Sequence, residues 1–197
     1  MKRVEFFYDL SSPYSYLAST QIEQVAARAG GEVAWRPFVL GAVFKATGNV
    51  MPATVAAKAQ HMMKDLERWA AHYGVDFKMT TRFPVNAIKA MRLIVAAGRE
   101  SPPRAAQATH AAFRALWVDD RDITAEDELR QIAASAGLDP ARALGAIESP
   151  EVKDALRANG DEAVERGAFG APAFFVGDEL FWGNDRLHFV EAALRAK

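Results

Sequence analysis

The sequence predicts an α/β protein in which a long helical block splits a small sheet into two parts. Three observations carry this. Apolar, β-prone runs fall only near the two ends, at residues 4–10 and 32–40 and again at 172–176 and 179–182. Between them, residues 43–167 repeat apolar side chains at helical spacing and show no convincing strand. Finally, each end holds a helical segment beside its strands, so the element order is β-α-β, a helical block, then β-β-α.

Taken in order, residues 4–10 read as a central strand, since both alternating positions are apolar. Pro13 opens a helix that the spacing of Tyr16, Leu17, Ile22, Val25 and Ala26 carries to Arg28, and Gly30-Gly31 ends it. Residues 32–40 form the second strand, parallel to the first because a helix joins them. A long amphipathic helix follows from Pro52 to Tyr73, closed by Gly74, with further helices at 85–99, 103–118, 124–136, 139–147 and 150–167. Two short strands at 172–176 and 179–182 flank Gly177-Asp178, a hairpin turn signal, and Asn184-Asp185 starts a last helix. This is the order of a thioredoxin-like fold, with residues 1–42 and 168–197 as its halves and a helical domain at 43–167 inserted between them.

Composition narrows the function classes. The 197 residues are half apolar and a quarter charged, with a formal charge of −1, which gives no electrostatic reason to expect nucleic acid or an anionic membrane. The N-terminal apolar stretch is short and carries Glu5 and Asp9, so it reads as a strand rather than a signal peptide or a membrane span. The chain has no cysteine, which excludes disulfides, thiolate metal sites and redox chemistry through its own sulfur. His61, His72, His110 and His188 have no metal-ligand spacing and read as ordinary helix residues. Trp69, Trp117, Met62 and Met63 read as packing, and GAVFKATGN lacks the G-K-[ST] of a phosphate loop.

Three stretches can carry chemistry. In FFYDLSSPYSYLAS, Ser12-Pro13-Tyr14-Ser15 has the spacing of a C-P-x-C dithiol site with oxygen in place of sulfur. Ser12 before Pro13 is a preferred helix cap. The same place, a helix start after a central strand, also stabilises a thiolate supplied from outside, and a serine hydroxyl can donate to it. In FGAPAFFVG, Pro172 reads as the start of a strand; the resemblance of the element order to thioredoxin-like proteins implies instead a cis-proline whose preceding residue offers its backbone to an extended thiol peptide. In WGNDRL, Asn184 or Asp185 caps the last helix; backbone amides there also suit a carboxylate, and Asp185 suits an ammonium.

These stretches, with KATGNV, AKAQHMMKDLERWAAHYG and FPVNAIKAMR, are those by which the chain resembles the kappa-class glutathione transferases, and within them the bacterial 2-hydroxychromene-2-carboxylate isomerases. The resemblance spans essentially the whole chain. It implies that reduced glutathione is the cofactor and that Ser12, not Ser11, holds its sulfur as the catalytic residue. It also implies that Asn49, Lys58, Ala171, Trp182, Gly183, Asn184 and Asp185 contact glutathione and that Pro172 is a structural cis-proline. Lys45, Ala53, Thr54 and Asn86 fall near the expected pocket for a small aromatic carboxylate. Ala53-Thr54 departs from the Ser-Asn that some isomerases carry, and the loop lysine is shifted by one position relative to one branch.

The activity implied is glutathione-dependent interconversion of 2-hydroxychromene-2-carboxylate and trans-o-hydroxybenzylidenepyruvate in the breakdown of naphthalene-like aromatics. Alternatives are a general kappa-class transferase or peroxidase, and a glutathione-binding module without turnover. A homodimer and a cytoplasmic location complete the expectations, with no metal, nucleic acid or membrane partner.

Overall fold

A computed structural model describes residues 2–197. β1 (Lys2–Tyr8) leads into α1 (Pro13–Ser19) and α2 (Ile22–Arg28), and β2 (Gly31–Pro37) returns parallel to β1. The helical block runs through α3 (Leu40–Thr47), α4 (Ala56–Tyr73), α5 (Ile88–Glu100), α6 (Pro102–Trp117), α7 (Glu126–Ser135), α8 (Pro140–Ala146) and α9 (Pro150–Glu165). β3 (Ala173–Val176) and β4 (Glu179–Trp182) form an antiparallel hairpin, and α10 (Leu187–Ala196) ends the chain. The four strands lie in the order β2-β1-β3-β4, so the hairpin from the far end of the chain docks antiparallel onto β1. This is the thioredoxin-like arrangement with helices inserted between its halves.

β1 is buried on both faces, as a central strand should be. Val4, Phe6 and Tyr8 join a core that continues through α2, α10 and the inserted α5, α6 and α7. Phe7 points the other way, with Phe175, Phe38, Val43 and Ala163, under α3 and α9. The inserted helices are thus sewn to the sheet: the Tyr8 and Thr109 hydroxyls lie 2.6 Å apart, and the Trp117 indole donates to the Leu10 carbonyl at 2.9 Å.

Three elements differ from the expectation. The helix expected from Pro13 to Arg28 is broken after Ser19. There the Ser19 and Thr20 hydroxyls donate to the carbonyls of Tyr16 and Leu17 at 2.7 Å each, offering the backbone a local alternative to the next helical bonds. The second strand ends at Pro37, three residues early, and an unexpected helix begins at Leu40. Its N-cap, Val39, has no side-chain capping bond; the first amide, Leu40 N, instead donates to the Asp9 carboxylate at 2.7 Å. The helix expected from Pro52 to Tyr73 is also interrupted, by an extended Val55 between a 3-10 turn at Pro52–Thr54 and α4.

Candidate active site

Ser12 lies where β1 hands over to α1, and only 5% of it is exposed. Its amide donates to Asp9 O at 3.0 Å, which fixes the turn. Its Oγ accepts the Ser15 amide at 3.2 Å, so it does cap the helix. Its hydroxyl proton points to Ala171 O at 3.5 Å, the long edge of a hydrogen bond. Pro13 has no N–H and the Tyr16 amide is taken by Ser12 O at 3.1 Å. That leaves Tyr14 N as the unpaired amide of this first turn among the described residues.

The Ala171–Pro172 peptide is cis, and Pro172 is buried. Pro172 O accepts the Gly183 amide at 3.0 Å, which draws the stretch after β4 to the same place. Gly183 has φ +104°, and Asp185 Oδ1 would lie 2.5 Å from a Cβ at that position, so the residue must be glycine for the carboxylate to fold back over it. Asp185 pairs with Arg186, and neither it nor Asn184 caps the last helix as expected: both lie in a 3-10 turn, and the N-cap of α10 is Arg186, without a side-chain capping bond. Asn184 is buried: its carbonyl accepts the Tyr73 hydroxyl at 2.8 Å, tying α4 to the site. Tyr14 makes a second tie, donating to Asp65 of α4 at 2.9 Å. Burial, then this bonded carboxylate, push the Tyr14 phenol pKa up, and Asp185 adds in the same sense.

Asn49 joins the group through Phe169, donating to Phe169 O at 2.8 Å while its own Oδ1 accepts Val50 N at 2.8 Å. One N–H and one lone pair of its amide stay free. Phe169 and Trp182 rest against each other with ring centroids 4.9 Å apart, and Trp182 is 47% exposed. A Cβ on Gly170 would come 2.8 Å from the Trp182 indole nitrogen, so glycine there lets the ring lie on the loop leading to Ala171.

The structure therefore gathers Ser12, Asn49, Ala171, Pro172, Trp182, Gly183, Asn184 and Asp185 around one shelf. No hydrogen bond among the described residues links Lys45, Ala53, Thr54, Lys58 or Asn86 to it. Lys45 is exposed in the last turn of α3, and Lys58 is exposed in the first turn of α4. Ala53 and Thr54 form the 3-10 turn, where the Thr54 hydroxyl donates to Met51 O at 2.8 Å. Asn86 Oδ1 accepts the Ile88 amide at 3.2 Å, at the start of α5.

Asp9 was not singled out by the sequence. It is 4% exposed and accepts from Ser11 N and Ser11 Oγ at 2.8 Å each and from Leu40 N at 2.7 Å. Burial raises its pKa, against the lowering effect of those bonds. The signal was present as a carboxylate closing a buried strand, three residues before Ser12. Tyr73 and Asp65 had no such signal, since both reach the shelf from α4, whereas Phe169 stands in the FGAPAFFVG motif itself, two residues before Ala171.

Comparison with known proteins gives the family and the fold. Residues 3–195 match the DSBA-like thioredoxin domain family. The chain is 36% identical to the 2-hydroxychromene-2-carboxylate isomerase of Sphingobium xenophagum over 98% of both chains. It is 27% identical to human glutathione S-transferase kappa 1, covering all of this chain and 92% of that one. A solved 2-hydroxychromene-2-carboxylate isomerase superposes with a TM-score of 0.88 at 28% identity, over 98% of this chain and 94% of the other. The chain belongs to the DsbA-like thioredoxin-domain family, and within it to the group of the 2-hydroxychromene-2-carboxylate isomerases.

Proposed function

We propose that this protein is a glutathione-dependent isomerase interconverting 2-hydroxychromene-2-carboxylate and trans-o-hydroxybenzylidenepyruvate. The observation that carries this is a near-buried Ser12 hydroxyl at a helix start, facing the carbonyl before a cis-proline, in a chain without cysteine. The relatives named as isomerases support the reaction class, and the kappa transferase relatives support glutathione.

The residues present fit the cofactor. The open amide of Tyr14 and the Ser12 hydroxyl are donors for a sulfur anion, and Ala171 offers extended backbone for the cysteinyl unit. Asp185 and the amides that follow Gly183 suit an ammonium and a carboxylate on one carbon. Lys58 and the free half of the Asn49 amide suit the glycyl carboxylate.

Glutathione, when bound, supplies a thiolate that adds reversibly to a conjugated carbon of the aromatic pyruvate and so frees a double bond to rotate. Ser12 lowers the thiol pKa by donating to sulfur; every tenfold gain of thiolate over thiol corresponds to about 1.4 kcal/mol. Lys45 and Asn86 serve the aromatic substrate: a cation or an amide stabilises its carboxylate or the developing enolate. The exposed Phe169–Trp182 pair provides an apolar wall.

The test is ring closure of trans-o-hydroxybenzylidenepyruvate followed by absorbance, with and without glutathione, beside a panel of simple electrophiles. The proposal expects a glutathione-dependent rate on the pyruvate that exceeds the rates on the panel. No glutathione-dependent rate on the pyruvate would sink it, and faster turnover of the panel would favour a general kappa-type transferase.

A further inference from the structure

Ser15 carries a hydroxyl that the mechanism above does not use. Its side chain is fully buried, and its Oγ has no hydrogen-bond partner among the described residues. A buried hydroxyl left unpaired costs about 1–3 kcal/mol. The next hydroxyls along the chain are satisfied: Ser19 donates to Tyr16 O and Thr20 to Leu17 O. Ser15 could replace its hydroxyl by hydrogen with no loss to helix α1, since alanine is the better helix former.

The position of the orphan hydroxyl is informative. The Ser15 amide donates to Ser12 Oγ at 3.2 Å, so the two side chains share one turn of chain. A serine hydroxyl has one proton and two lone pairs. Ser12 Oγ spends one lone pair on the Ser15 amide and aims its proton at Ala171 O across a long 3.5 Å. One lone pair remains open, and the residue whose amide already bonds to this oxygen, Ser15, carries a hydroxyl with nothing to donate to.

We propose that Ser15 is a positioning residue for Ser12. When a thiolate binds, Ser12 turns its proton from Ala171 O to the sulfur, and Ser15 donates to the open lone pair of Ser12. An O–H that accepts a hydrogen bond becomes a better donor, so the chain from Ser15 through Ser12 to sulfur holds the anion more strongly than Ser12 alone. The change needs only rotation of the Ser12 hydroxyl about its Cβ–Oγ bond, which leaves the Ser15 amide on Oγ, and of the Ser15 side chain between staggered positions. This inference rests on the glutathione reading and adds the second serine to it.

The experiment is a pH titration of glutathione bound to the protein, read by thiolate ultraviolet absorbance. It compares wild type, Ser15→Ala, Ser12→Ala and the double variant, with thermal midpoints of the ligand-free proteins. Ser15→Ala is expected to raise the bound thiol pKa by about 0.5. Its ligand-free midpoint is expected to match or exceed wild type, because an unpaired hydroxyl has gone. In the Ser12→Ala background the same change is expected to shift the thiol pKa no further. An unchanged thiol pKa in Ser15→Ala, or an equal shift in both backgrounds, overturns the proposal. So does a clear drop in the ligand-free midpoint, which would show that the hydroxyl already has a partner there. If wild type leaves the glutathione thiol at its free value, the glutathione reading itself falls; if wild type lowers it and Ser15→Ala does not matter, only the role of Ser15 falls.

Discussion

At Gly183 the backbone takes φ +104° and the Asp185 carboxylate lies where a side chain would start. Gly183→Ala is therefore expected to destabilise the protein by about 1–3 kcal/mol and to weaken glutathione binding, because Asp185 must move off the shelf. Thermal melts and calorimetric titration with glutathione check the two effects separately. Gly170→Ala presents a related conflict with the Trp182 indole. The ring can swing aside, so a smaller loss of about 1 kcal/mol is expected, with a change in the apolar wall. At this scale the sequence was partly readable. Ser12, Pro172 and Gly183 stand in short motifs whose geometry is local. How each polar side chain is spent was not readable: Asn86 and Thr54 satisfy nearby backbone, and half of Asn49 is committed to Phe169, a partner far along the chain.

The elements around the shelf are held by carboxylates that reach across the fold. Asp9 closes β1, fixes the turn before Ser12 through Ser11, and caps α3 through Leu40 N. This explains why α3 could not be read from residues 39–48: its cap lies 31 positions earlier. Asp9→Asn keeps the shape but replaces one acceptor oxygen by a donor, leaving Leu40 N or Ser11 N facing an N–H. A loss of about 2 kcal/mol is expected from thermal or urea unfolding. The pH dependence has a definite sign. Burial raises the Asp9 pKa above its ordinary 3.8, so the folded state holds this proton more tightly. Its contribution to stability is full below the ordinary value and is lost as pH rises through the raised one. Asp9→Asn should flatten that part of the stability profile.

Asp120 acts in the opposite direction. It sits at φ +53° in the turn after α6 and accepts from the Thr80 hydroxyl at 2.7 Å and the Thr81 amide at 2.9 Å. The Thr80 hydroxyl, the Thr81 amide and the Lys78 charge pull its pKa below 3.8. The stability it supplies is present above that value and is lost as pH falls through the lowered one. Asparagine tolerates the left-handed backbone, so Asp120→Asn isolates the charge and its acceptors. The variant should be less stable near neutral pH and converge on wild type in acid, which melts across the pH range will read.

Over the whole molecule, the inserted helices share their core with the sheet. Tyr8 meets Thr109 and Phe113, and Trp117 bonds to Leu10 O just before the Ser12 turn. The element order made the thioredoxin-like frame legible, because hydrophobic period and turn residues are local signals. The joint core was not legible, since it depends on pairs such as Tyr8 with Thr109, 101 positions apart. One consequence is that sheet and helices should unfold together in urea, with far- and near-ultraviolet circular dichroism giving one midpoint. Two separated transitions would contradict this. Trp117→Phe, which strips Leu10 O of its buried donor, should lower that single midpoint by about 2 kcal/mol in free energy.

The central claim is that Ser12 works with a thiolate it does not carry. The most direct measurement is the rate of trans-o-hydroxybenzylidenepyruvate ring closure against glutathione concentration, for wild type and Ser12→Ala, normalised to folded protein. The account predicts no enzymatic rate without glutathione, a saturable rate with it, and a loss of about a hundredfold in Ser12→Ala at saturation. The variant should lose only about 1 kcal/mol of stability, the worth of its cap. A wild-type rate that needs no glutathione, or a folded Ser12→Ala that turns over as fast as wild type, would contradict it.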